Sequence, residues 1–154
     1  MTFKWNKKYT YPASVRSLVN DARHYSVGDE KLPSVTTILS ATQSSEKRES
    51  LARWQAKVGK NEAERVKNVA GKRGTAMHQY LEYMVAEKNL LDLTEEGVEA
   101  QRMAEVVRDK GFNDLEEIWG SEVVLSYPGL YAGQTDLCGI YQGRESIIDF
   151  KQSN

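Results

Sequence analysis

One cysteine, three prolines and two histidines are all that the 154 residues hold of those types. Cys138 alone closes no internal disulfide, and without a second cysteine it builds no thiolate metal site. It reads instead as a small buried filler, and its isolation suits a reducing compartment. Long apolar runs are missing too. Nothing approaches the roughly 18 residues of a membrane span, and the N-terminus lacks the apolar core of a secretory signal. Lys4, Lys7 and Lys8 make the first residues basic, but the stretch has too few arginines and too many aromatics for a mitochondrial presequence. A cytoplasmic setting is therefore expected. Nor is there an excess of charge of one sign. Lys+Arg number 21 against 22 Asp+Glu, a formal net charge of -1, so no global basic field announces nucleic acid and local clusters must decide.

What is present suits one soluble globular domain: 40% hydrophobic and 28% charged residues, at a common single-domain length. Residues 1–31 mix aromatic and polar side chains without clear period and read as an extended N-terminal arm or a short hairpin. Pro33-Ser34 then resembles a helix start, with Val35, Ile38 and Leu39 at helical spacing. After a polar break at Thr42–Ser45, Leu51, Trp54 and Val58 form one helical stripe. Past Gly59, Ala63, Val66 and Ala70 form another. Gly71 and Gly74 read as interruptions, with Thr75 the N-cap of a new helix running to about Asn89. A further helix is expected over about Glu95–Lys110, with Ala100, Met103, Ala104 and Val107 on one face and Gly111 as its stop.

Beyond Gly111 the texture changes to short β-branched and aromatic runs, SEVVLSY, YAGQTDLCGIY and ESIIDFK, parted by Pro128-Gly129 and Gln142-Gly143. The expected architecture is α+β: helices first, then an antiparallel three-strand meander. In the last strand Ile148 and Phe150 share the core face. Asp149 and Lys151 then project together from the other, about 7 Å apart. The turn at Gln142-Gly143 brings Asp136 of the preceding strand nearly opposite Asp149. Adjacent carboxylates repel unless a cation joins them, and oxygen ligands suit Mg²⁺ or Mn²⁺. The Phe150 carbonyl is a further candidate ligand. Lys151 is placed to orient an attacking water or to stabilise developing charge. An Asp-x-Lys triplet by itself is more often a surface ion pair, and a lone histidine such as His78, at the border of an apolar stripe, is more often a core residue.

The ordered set is more specific than its parts. Gly74-Thr75-x-x-His78 on a helix, Glu122 on a strand, Gly133-x-x-Asp136, and then Asp149-x-Lys151 resemble the PD-(D/E)XK nucleases. The resemblance is closest to the RecB-like branch that includes the mitochondrial genome maintenance and phage exonucleases. Leu32–Leu39, with its Pro-Ser-Val-Thr, and Leu51-x-x-Trp54 are similar to segments of those enzymes, and the likeness spans about Leu32 to Ser153. It implies a restriction-endonuclease-like core over residues 32–154 and a metal-dependent DNA exonuclease acting on single-stranded ends, in a bacterial or phage-infected host. His78, Asp136 and Asp149 would bind Mg²⁺ or Mn²⁺ with the Phe150 carbonyl. Lys151 would be the catalytic lysine, Glu122 an acid near the metal, and Gln152 a polar neighbour of the site in contact with the nucleic acid. RecB-like nucleases continue past Asp-x-Lys with a helix bearing Gln-x-x-x-Tyr, so the sheet is expected to be incomplete, its remainder supplied by a C-terminal segment or a partner chain.

A nuclease must hold a polyanion. Lys72 and Arg73, with Thr75, stand at the mouth of the expected histidine helix, whose N-terminus favours phosphate. Lys57, Lys60, Arg65 and Lys67 read equally well as a solvated face. Trp54 and Tyr80 at helical spacing read as packing, whereas Tyr131, beside Gly133, is the better platform for an unpaired base. Two rivals stand beside the nuclease. One is a non-cleaving module that binds DNA or a protein partner; the other is a small α+β domain without a site.

Overall fold

A computed structural model describes residues 2–153. Contacts divide the chain into two compact units, neither of them a continuous stretch. One comprises Met1–Tyr9, Glu64–Glu122 and Thr135–Asn154; the other comprises Thr10–Ala63 and Val123–Gln134. The α+β class expected from the sequence is what the chain forms, with four helices and two three-stranded antiparallel sheets.

In the second unit the expected arm is largely a sheet. Strands β1 (Ser14–Val19), β2 (Ala22–Val27) and β3 (Glu30–Pro33) pair in that order. Asn20 and Asp21 both take positive φ, 51° and 64°, which is the mirror-image two-residue turn whose twist matches flanking strands. Tyr25, Leu32 and Ala132 form the small core. Helix α1 (Val35–Ala41) starts where Pro33-Ser34 predicted. The Ser34 hydroxyl, itself buried, accepts from the Thr37 amide at 3.0 Å, a cap that stabilises by about 1 kcal/mol. Helix α2 (Ser45–Val58) ends at Gly59, φ 88°, as expected. Its stripe departs from expectation: α2 has no buried residue, and Leu51 and Trp54 are exposed. Helical spacing reports amphipathicity, and the partner that would cover it is a separate matter.

The long helix α3 (Lys60–Val85) corrects the sequence reading. It runs through Gly71 and Gly74 without a break, so Thr75 is not an N-cap and Lys72 and Arg73 do not stand at a helix mouth. Each internal glycine costs about 1 kcal/mol relative to alanine. Against that, Ala76, Met77, Tyr80, Leu81 and Val85 bury one face in the core of the first unit, each large side chain contributing about 1.5–3 kcal/mol. The helix also stops earlier than Asn89. Glu87 adopts φ 56°, its amide bonds Met84 O, and the Lys88 amide bonds Tyr83 O, a Schellman closure. Trp5 Nε1 donates to Val85 O at 2.9 Å, satisfying one of the terminal carbonyls.

Helix α4 (Glu95–Gly111) is capped by Thr94 and buries Ala100 and Ala104, as the periodicity predicted. A 3-10 turn, Phe112–Asp114, leads into β4 (Leu115–Tyr127), β5 (Tyr131–Tyr141) and β6 (Arg144–Ile148), ordered β4-β5-β6. This is the expected meander. Gln142 and Gly143 supply its second turn at φ 50° and 74°. A Cβ on Gly139 would meet the Glu117 carbonyl oxygen at 2.0 Å, so β4 and β5 approach closely there. Cys138 is buried, and Ile148 and Phe150 face the core while Ile147 is exposed.

Candidate functional site

All but one of the site residues expected from the sequence fall in the first unit. The β5–β6 register pairs Leu137 with Ile148, so the next step along both chains sets Asp136 opposite Asp149. The strand ends three residues earlier than expected: β6 stops at Ile148, and Asp149, Phe150 and Lys151 continue outside it. The Phe150 ring is in the core, and its amide donates to Asp136 Oδ2 at 2.7 Å. Lys151 Nζ lies 3.0 Å from Asp149 Oδ2, with both side chains largely exposed.

His78 reaches this pair from α3. Its Nε2 is 3.2 Å from Asp136 Oδ2, and Nδ1 is 2.8 Å from the Gly74 carbonyl. The carbonyl accepts, so Nδ1 carries a proton. With Nε2 against a carboxylate, the ring is held as imidazolium. The hydrogen bond to Asp136 raises the His78 pKa to about 9 against the pull of burial, with further help from the Gly74 carbonyl and from the charges of Asp136 and Glu122. Burial opposes the charge of Asp136. Bonds from His78 and the Phe150 amide, and one shared with Asp149, nevertheless hold its carboxyl below the usual range.

Glu122 adopts φ 53° within β4. The left-handed conformation costs a non-glycine residue about 1–2 kcal/mol, and such strain at a site is a pointer to use. Its charge acts on His78.

Comparison with family models, curated proteins and solved structures returned no match.

The donor set is oxygen and nitrogen, with two facing carboxylates and an imidazole, and this chemistry fits Mg²⁺ or Mn²⁺. Among the described residues no three His, Cys, Asp or Glu side chains already stand in ligand positions. His78 and Asp136 contact each other directly, so a cation held by both would have to part that pair and replace the proton on the imidazole.

The residues expected to hold nucleic acid separate. Lys72 and Thr75 line an open groove of about 800 Å³ along α3, with Lys67, Asn68, Gln79 and Asp92. Arg73 turns the other way, its side chain only 14% exposed and paired with Glu99 at 3.2 Å. Its Nε donates to Gln152 Oε1 at 2.7 Å. Gln152 is thus bound to α3, where the sequence suggested a contact with substrate. Tyr131 belongs to the other unit, where it is exposed and stacks on Tyr127 with ring centroids 5.7 Å apart. Tyr80 is buried and bonded to the Asp92 backbone, as a core residue. Glu99 was missed by sequence reasoning. It sits in a helix rich in acids, and no local pattern distinguishes it. No helix among the described residues is long and apolar enough to cross a membrane.

Proposed function

We propose that this protein is a metal-dependent DNA exonuclease of the RecB-like PD-(D/E)XK type, cutting phosphodiester bonds at single-stranded ends. One observation carries the reading: Asp136 and Asp149 face each other across a register-fixed pair, with His78 on the first acid and Lys151 on the second. His78 of α3 pairs with Asp136 within β5, Lys151 pairs with Asp149 just past β6, and the two acids link the pairs. Their order along the chain is the order of the nuclease motifs.

In this reading His78, Asp136, Asp149 and the Phe150 carbonyl hold Mg²⁺ or Mn²⁺, which when bound neutralises charge on the scissile phosphate. Lys151 orients the attacking water and meets the charge that grows on the phosphate oxygen. Glu122 sets the field around the histidine. Lys72 and Thr75 along the α3 groove offer phosphate contacts.

Purified protein with Mg²⁺ or Mn²⁺ should degrade end-labelled single-stranded DNA, and Lys151→Ala or Asp149→Asn should abolish the product. A second reading, a module that binds DNA or a protein partner without cutting, draws on the mutual satisfaction of His78 with Asp136 and Lys151 with Asp149. Salt-sensitive DNA binding with no metal-dependent product would favour it.

A further inference from the structure

The Lys151 side chain is 82% exposed and pairs with Asp149, yet the role proposed for it requires a fixed position. Past Ile148 the backbone has left the β5–β6 ladder, so no sheet hydrogen bonds hold Lys151 in place. What holds it must lie in its neighbours. On one side is Phe150, whose ring is buried and whose amide bonds Asp136. On the other is Gln152, which spends its whole carboxamide on α3. Its Oε1 accepts from Arg73 Nε at 2.7 Å, and its Nε2 donates to the Ala70 carbonyl. Arg73 is itself fixed by Glu99 of α4. Gly74 leaves the room for this contact, because a Cβ there would stand 2.7 Å from Gln152 Nε2.

We infer that Arg73 and Gln152 are positioning residues: together with Gly74 they clasp the segment after β6 onto α3 and so set where Asp149 and Lys151 stand relative to His78 and Asp136. The functional meaning of the clasp rests on the nuclease reading, but the clasp itself does not. Arg73 is a charge-assisted donor to a carboxamide and a carboxylate at once, a fork geometry that lysine does not reproduce. Gln152 matches it with one acceptor and one donor, both used. The arrangement anchors a segment without strand pairing on both sides of the lysine.

The test is amide hydrogen exchange on the metal-free protein. In Gln152→Ala and in Arg73→Ala, the Phe150 amide, which donates to Asp136 within the anchored segment, should exchange about tenfold faster, the loss expected for one charge-assisted bond. Leu137–Ile140 amides should be unchanged. The double variant should match the single ones, since both remove the same contact. Gly74→Ala should have the same effect in the parent and none in the Gln152→Ala background, where the obstructing carboxamide is gone. Unchanged exchange at Phe150 in both single variants would overturn the clasp. In cleavage assays Arg73→Ala should lower kcat and leave KM and its salt dependence alone. A raised KM with a flatter salt slope and unchanged kcat would make Arg73 a phosphate contact and refute the positioning role. Absence of cleavage by the parent protein would remove the nuclease reading, while the exchange measurement would still decide the clasp.

Discussion

The Phe150 amide donates to Asp136 Oδ2, the same oxygen that faces His78 Nε2. One carboxylate oxygen therefore ties the segment carrying Asp149 and Lys151 to the helix carrying the histidine. Asp136→Asn keeps the shape and removes the charge. The His78 pKa should then fall from about 9, because its largest support is the bond to Asp136 and burial continues to disfavour the charged ring. Titration of the two histidine ring resonances by NMR would measure this. A His78 resonance that titrates unchanged in Asp136→Asn would refute the pairing.

Stability should depend on pH in a definite direction. The fold raises the His78 pKa from 6.5 to about 9, so it favours the protonated ring. That contribution is complete below 6.5 and drains away as the pH climbs through about 9. Asp136 works on the acid side: its carboxyl is held below 3.8, so its contribution is present above that value and lost as the pH falls. Urea unfolding in chelator from about pH 6 to about pH 10 should show the parent losing more stability than His78→Gln. Parallel profiles for the two proteins would contradict the assignment.

Cation binding should release a proton. At neutral pH the ring of His78 is occupied by hydrogen, and an imidazole must be neutral to act as a ligand. Titrating Mg²⁺ or Mn²⁺ near pH 7 should liberate about one proton per cation, with apparent affinity rising about tenfold per pH unit until His78 is neutral. Calorimetry in two buffers of different ionisation enthalpy would report it. A heat that does not change with the buffer would exclude His78 from the ligands.

Glu87 closes α3 in a conformation that favours glycine, at φ 56°. Glu87→Gly relieves about 1 kcal/mol of backbone strain and leaves the Lys88 to Tyr83 bond intact. It should raise the melting temperature by about 2–4 °C, measured by circular dichroism. A lower melting temperature would show that the Glu87 side chain, not its backbone, matters at this position.

What could be read from the sequence was local. The cap at Ser34, the stop at Gly59, the helix after Thr94 and the meander with its Gln142-Gly143 turn each rest on residues a few positions apart. The facing of Asp136 and Asp149 followed from that turn. What could not be read depended on distant partners. Gly71 and Gly74 looked like a helix break because the core face that stabilises α3 through them comes from residues later in the chain. Arg73 looked like a phosphate ligand because its acceptor, Gln152, lies 79 residues away. Leu51 and Trp54 showed the period of a buried stripe and are exposed. The positive φ of Glu122 has no signature in its neighbours at all.

The closeness of position 74 to Gln152 makes the two a single unit of substitution. A methyl group at 74 displaces the Gln152 carboxamide from where it now sits, while either alone is compatible with the helix. In any library of variants selected for a folded chain, side chains at 74 should be recovered more often where 152 has become small. The glycine that weakens α3 is thus the mould into which the segment after β6 is cast.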